Sequence, residues 1–315
     1  MKTILFISML IIMLSACSEI ERINEPKEEI VQEIVIDDKN DKPEKSDIEK
    51  TESKIEDSVH KENVLNVEGD TIESRYVPPS GYTRVAVEEG SYEQFLRTQK
   101  LKPYGSPVLY HDGREKNKKN VYDSVLDVDT GPRDLHQCAD AIMLLRAEYL
   151  WSVERYNDIK FHFVSGFLTE YSKWIEGYRI DPDSGYYPSG IPGDMSYESF
   201  REYMDMVFAY AGTLSMLEEA EPINPDEIKI GDIFLDKGHT IIIMDIAKNA
   251  DGDVVFLVAQ SYMPAQQTQI LINDNNENIS PWYSLNDVVK AKRMITPEWS
   301  FNIQDLMRYT GAVKE

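Results

Sequence analysis

The chain has 315 residues and a formal net charge of −23, set by 33 basic against 56 acidic side chains. This balance repels phosphate backbones and anionic headgroups, so it argues against nucleic acid as a partner and against electrostatic attachment to lipid. Residues 18–75 carry 19 acidic and 9 basic side chains and no Phe, Trp or Tyr, whereas 31 of the 32 aromatics fall in residues 76–315. The first stretch cannot bury a core, and the second is long enough for one large domain or two small ones.

Met1 to Cys17 begins with Lys2, continues as an apolar run from Ile4 to Leu14 and ends in Ser15-Ala16-Cys17. It is too short to span a bilayer and has the three regions of a secretory signal. Leu14-Ser15-Ala16-Cys17 resembles a bacterial lipobox, which implies that Cys17 receives lipid and becomes the mature N-terminus; an ordinary signal with a chance cysteine is the alternative. Lipid would hold the chain on a membrane without a spanning helix. Ser18 after the cysteine resembles outer-membrane sorting, so a periplasmic or surface-exposed place in the cell envelope is expected. Residues 18–75 then read as a disordered acidic tether, interrupted by Pro26 and Pro43, with a root-mean-square reach of roughly 40 Å.

Residues 76–315 read as a single domain. Ser91 and Gln94 form a capping box opening a helix that runs through Arg97. Short strands are expected over Val108–His111 and Ser124–Val128. A helix from Leu135 to about Tyr156 follows, capped by Asp134 with Gln137 completing the box, and Cys138, Ala141, Ile142, Leu145 and Tyr149 form its apolar stripe. Phe161–Val164 reads as a strand, Phe167–Ile175 as a helix and Tyr178–Gly193 as a Pro- and Gly-rich loop. The tyrosines of that loop either line a cleft or pack beneath it. Ser196 caps a helix expected to run from Tyr197 to about Leu217. Three strand-like runs follow, Gly231–Leu235, Thr240–Ile246 and Val254–Gln260, and helices first with an antiparallel sheet after define an α+β fold.

With Cys17 lipidated, Cys138 is the remaining thiol. It falls in the first turn of its helix, where unpaired N–H groups and the helix dipole favour a thiolate, yet it also lies on the apolar stripe, where a thiol packs as a small hydrophobe. On position alone the nucleophilic and structural readings stand level. Of the histidines, His136 is two residues from Cys138 and points about 200° around the axis from it. His162 sits between two phenylalanines and His111 beside an Asp-Gly turn, whereas His239 follows Gly238 at the head of a strand. Even-length turns between this strand and the next place Gln260 on the face of His239, and one such register makes them direct cross-strand neighbours. Gln260 then holds one ring nitrogen and leaves the other for Cys138. No histidine pair has metal-ligand spacing, so neither metal nor other cofactor is expected.

Several strings resemble the domain of unknown function 4846 family of Bacteroidetes proteins: Gln137-Cys138-Ala139-Asp140-Ala141, Phe161-His162-Phe163, Ala259-Gln260-Ser261-Tyr262-Met263-Pro264-Ala265-Gln266, Ser280-Pro281-Trp282-Tyr283 and Thr296-Pro297-Glu298-Trp299. A cysteine opening a helix, Gly231-Asp232-Ile233-Phe234, Gly238-His239 leading a strand and a polar residue ending the next are similar, more distantly, to papain-like amidases and peptidases of the NlpC and CHAP type. That resemblance implies a papain-like arrangement with Cys138 as nucleophile, His239 as base, Gln260 as its orienter and the Cys138 backbone N–H with Gln137 as oxyanion donors. It implies peptidoglycan peptides as substrate, and it requires a large insertion between Cys138 and Gly231. A non-catalytic envelope lipoprotein that binds glycan or peptide on a papain-like shell is the competing expectation.

Overall fold

The computed structural model describes residues 64–312. The signal, Cys17 and most of the tether lie outside the described residues. The expected boundary at residue 76 moves toward the N-terminus, because Val64 and Ile72 are buried in the core and Thr71 caps a short helix, α1 (Ile72–Arg75). Arg75 explains why this polar segment folds: its guanidinium is buried and donates to the carbonyl oxygens of Gly69 and Lys102 and to Ser124 Oγ.

In chain order the helices continue as α2 (Tyr92–Arg97), α3 (Cys138–Ser152), α4 (Tyr171–Ile175), α5 (Tyr197–Tyr210), α6 (Thr213–Glu219) and α7 (Leu285–Ala291). The first strands are β1 (Thr83–Arg84), β2 (Tyr122–Val125), β3 (Lys160–His162), β4 (Leu168–Glu170), β5 (Tyr178–Asp181), β6 (Gly185–Pro188) and β7 (Ala220–Pro222). After them come β8 (Ile233–Leu235), β9 (Thr240–Lys248), β10 (Val254–Gln260), β11 (Gln269–Leu271), β12 (Tyr283–Ser284), β13 (Arg293–Ile295), β14 (Ser300–Asn302) and β15 (Leu306–Tyr309). The main sheet is antiparallel, ordered β2-β11-β10-β9-β8-β15-β7, with β1 also on β9 and β12 also on β10. The domain is therefore α+β.

Strands β8, β9 and β10 read as continuous apolar runs because both faces of the sheet are covered. Their residues are buried throughout except Lys248. Phe234 of β8 packs against Phe256 of β10 and against Phe301, which the β13–β14 hairpin supplies. Helices α2 and α3 lie against β9. Helix α3 is buried nearly all round, not along one stripe: Ala139, Met143, Leu144 and Ala147 are as enclosed as Ile142 and Leu145.

Five expected elements change. Tyr178–Gly193 holds the hairpin β5–β6 in place of irregular loop, its turn fastened by Asp181 Oδ1 accepting from the backbone N–H groups of Asp183 and Ser184. The expected helix over Phe167–Ile175 divides into β4 and α4, because Leu168–Glu170 pairs with β3. The helix begun at Ser196 stops at Tyr210, where Ala211 and Gly212 are extended, and restarts as α6. Val108–His111 forms isolated bridges through Leu109 and Tyr110, and the second expected strand is β2, shifted toward the N-terminus.

Candidate functional site

Helix α3 begins three residues later than Asp134 and Gln137 suggested. Asp134 does not cap it: its Oδ1 accepts the backbone N–H of Ala265 at 2.7 Å and Gln137 Nε2 at 3.2 Å. Gln137 is the extended residue before the helix, and its backbone N–H donates to Asp140 Oδ2 at 3.0 Å. Cys138 is consequently the first helical residue, where the backbone N–H has no intrahelical acceptor. The segment ahead of it is sewn to the chain leaving β10. Ser261 Oγ lies 2.9 Å from the His136 carbonyl oxygen, and His136 Nε2 lies 3.1 Å from Thr268 Oγ1. The Ala259–Gln266 string thus fixes the start of α3 against the end of β10.

His239 is carried to the head of β9 by a loop that Asp236 organises. Asp236 Oδ1 accepts the N–H groups of Gly238 and His239 at 2.7 and 2.8 Å, and its Oδ2 accepts Trp299 Nε1 at 2.9 Å. Trp299 lies so close that a Cβ on Gly238 would stand 2.9 Å from its ring, which accounts for glycine before the histidine.

His239 and Gln260 share a face as expected, but diagonally and not as the direct cross-strand pair that one of the even-turn registers gives. The β9–β10 connection is a five-residue loop closed by Asn249 N–H on the Asp253 carbonyl, an odd length that by itself would set them on opposite faces. A bulge at Met244 shifts the pairing from Leu257↔Asp245 to Val258↔Ile243 and restores the face. Gln260 then reaches His239 diagonally, and Oε1 stands 2.9 Å from Nε2. The ring is enclosed by Tyr262, Trp299 and Phe301, with centroids 4.8, 5.4 and 5.8 Å away. Nδ1 has no hydrogen-bonding partner among the described residues.

His239 and Gln260 are each 1% exposed and Cys138 7%. Cys138 and His239 form no hydrogen bond with each other. They share neighbours: the Thr240 N–H favours the ionised sulfur, and the Tyr262 phenol, whose ring meets His239 edge-on, feels the Cys138 charge. Of the two readings of the thiol that stood level on helix position, its surroundings favour the neutral form. Burial, and then the Asp140 charge, push the thiol up to about 11, and the N–H groups of Ala139, Thr240 and Cys138 offset this only in part. Burial also lowers His239, opposed by its hydrogen bond to Gln260 and the charges of Asp236 and Glu298. The resting pair is a neutral thiol and a neutral imidazole.

The other histidines are used elsewhere. Burial pushes His136 down to about 3. His162 Nδ1 lies 2.8 Å from Glu219 Oε1, whose other oxygen accepts Tyr309 OH at 3.1 Å. His111 Nδ1 faces the Pro132 carbonyl oxygen. Among the described residues no group of three or more His, Cys, Asp or Glu is placed to hold a metal ion. The residue that sequence reasoning left without a role is Glu298. From the turn between β13 and β14 it accepts Gln260 Nε2 at 2.8 Å and the buried ammonium of Lys116 at 2.6 Å, both on Oε2. The Thr296–Trp299 string was visible as a resemblance, but nothing local in it pointed to Gln260.

An α+β domain with a cysteine opening a buried helix and a histidine–glutamine pair on its central strands is what the chain builds. It belongs to the family described as Domain of unknown function (4846), whose model matches residues 72–308. No curated protein and no solved structure matches the chain.

Proposed function

We propose that the domain is a papain-like cysteine hydrolase, an amidase or peptidase of the NlpC and CHAP type, held in the cell envelope by lipid on Cys17. The observation that carries this reading is His239 bound through Nε2 to Gln260, with Nδ1 unpartnered and Cys138 at the first position of a helix beside the same strand. In the reaction the Cys138 thiol gives its proton to His239 Nδ1 as sulfur attacks a carbonyl carbon. The resulting oxyanion takes the Cys138 backbone N–H. Gln137 would contribute the second hydrogen of its side-chain amide, whose first serves Asp134, since its backbone N–H already serves Asp140. Collapse breaks the C–N bond, the amine leaves with the proton from Nδ1, and water admitted in its place hydrolyses the thioester. Between neutral partners, proton transfer accompanies attack and no stored ion pair is needed.

Peptidoglycan peptides are the proposed substrate class, on the strength of the resemblance and the envelope location that the lipobox implies. On this reading the segment from β3 to α6, with its two hairpins, is the insertion that the resemblance requires between Cys138 and Gly231. No described helix is long and apolar enough to cross a membrane, and the anchor is assigned to Cys17 from its sequence context alone. A second reading rests on the enclosure of Cys138: a non-catalytic envelope lipoprotein would keep this thiol as a core residue.

Incubation with purified peptidoglycan fragments, read by mass spectrometry, tests the proposal. The wild-type chain is expected to generate new amine and carboxyl termini and Cys138→Ala none, while Cys17→Ser should lose lipid labelling yet still cleave. Cleavage that survives Cys138→Ala, or a wild-type chain that leaves every fragment intact, contradicts it.

A further inference from the structure

We infer that Glu298 is a positioning residue for His239, fixing through the Gln260 amide which ring nitrogen carries the proton. Its consequence for catalysis rests on the cysteine-hydrolase reading; the tautomer itself does not. A glutamine amide has a donor end and an acceptor end of nearly the same shape, so Gln260 alone could serve either tautomer of the imidazole. Glu298 removes that freedom. A carboxylate only accepts, and its Oε2 lies 2.8 Å from the Gln260 nitrogen, so the NH₂ end must face Glu298. With the amide turned over, two oxygens would meet at that distance.

The carbonyl end then faces His239 Nε2 at 2.9 Å and can only accept, so Nε2 bears the hydrogen and Nδ1 keeps its lone pair. The lone pair is what a base for Cys138 requires.

The rest of the arrangement holds Glu298 to this task. Lys116 Nζ, on a side chain only 2% exposed, stands 2.6 Å from the same carboxylate oxygen that Gln260 uses. The turn carrying Glu298 is closed by Thr296 N–H on the Trp299 carbonyl oxygen and by Trp299 N–H on Thr296 Oγ1, and Trp299 Nε1 ties it to Asp236 in the His239 loop. Tyr262, Trp299 and Phe301 wall the imidazole with rings. Four separate stretches of chain converge on one imidazole, and each hydrogen-bonding link has one permitted direction.

The test is the His239 tautomer in the full chain, read by long-range proton–nitrogen correlation on protein labelled with ¹⁵N-histidine, the His239 signals being identified by their loss in His239→Gln. The wild type is expected to show Nε2–H alone. Glu298→Gln should raise the Nδ1–H population about tenfold or more, the change expected when a hydrogen bond to a charged group stops holding the amide. Glu298→Asp should restore Nε2–H. If Glu298→Gln leaves Lys116 buried without a partner and fails to fold, Glu298→Gln with Lys116→Met removes both charges together and takes its place. Nδ1–H in the wild type, or a tautomer unmoved when the carboxylate is removed, overturns the inference. The expected tautomers beside a Cys138 that never reacts would leave the inference standing and remove the hydrolase reading.

Discussion

Asp245→Ala is expected to lower the unfolding free energy by about 3–5 kcal/mol, the cost of leaving a buried charge without its partner. The Asp245 side chain is fully buried, with Arg84 Nε at 2.6 Å and Arg97 Nε at 2.7 Å on its two oxygens, and the Arg97 side chain is itself only 6% exposed. Oδ1 also accepts the N–H of Ile246. The residue sits beside the bulge at Met244, so these bonds brace the irregularity that puts His239 and Gln260 on one face. Urea denaturation of wild type and variant measures the loss; a decrease below about 1 kcal/mol would place the pair among ordinary surface bridges and contradict its buried geometry. Asp245→Asn keeps acceptor and size and should fall between the two.

Asp140 predicts a pH dependence of the opposite kind from ordinary acid unfolding. Burial pushes its carboxyl up to about 8, against the N–H groups of Gln137 and Asp140 that lower it. An unfolded aspartic acid releases its proton near pH 4, so between about pH 4 and pH 8 the folded chain holds a proton that the unfolded chain does not. This contribution is complete below pH 4 and is lost as pH rises through 8, with a total on the order of 5 kcal/mol. Asp140→Asn should flatten that decline while preserving an acceptor for Gln137. It should also speed alkylation of Cys138 above pH 8, where the Asp140 charge otherwise opposes the thiolate. A stability profile identical to wild type from pH 4 to pH 9 would show that Asp140 is not held as this geometry requires.

The parts of the fold governed by neighbours in sequence were legible. Ser91 and Ser196 cap the helices expected of them, and the apolar runs behind β9 and β10 end where the strands end, within two residues. Tertiary demand decided the rest. Asp134 has the right residue type and spacing for a helix cap, but Ala265, far along the chain, claims its carboxylate. Nothing in the order of residues announces that. The pairing of His239 with Gln260 came from parity, and parity was saved by two features that cancel, an odd loop and a bulge. Glu298 was invisible because its partners lie 38 and 182 residues away. The ionisation of Cys138 stayed open for a related reason: helix position favours a thiolate, but the walls that bury it come from the folded core.

The most direct test of the central claim is the rate at which iodoacetamide modifies Cys138 in the folded chain, followed from pH 6 to pH 10 in wild type and His239→Ala. With a thiol near 11, only about one molecule in 10⁴ is thiolate at pH 7, so appreciable reaction there requires a base that takes the proton during attack. The account predicts that wild type reacts at neutral pH about 100-fold or more faster than His239→Ala, whose rate should simply climb with thiolate concentration. Equal rates in the two proteins, or a Cys138 inert until denaturant exposes it, would contradict the cysteine-hydrolase account and leave the thiol as part of the core.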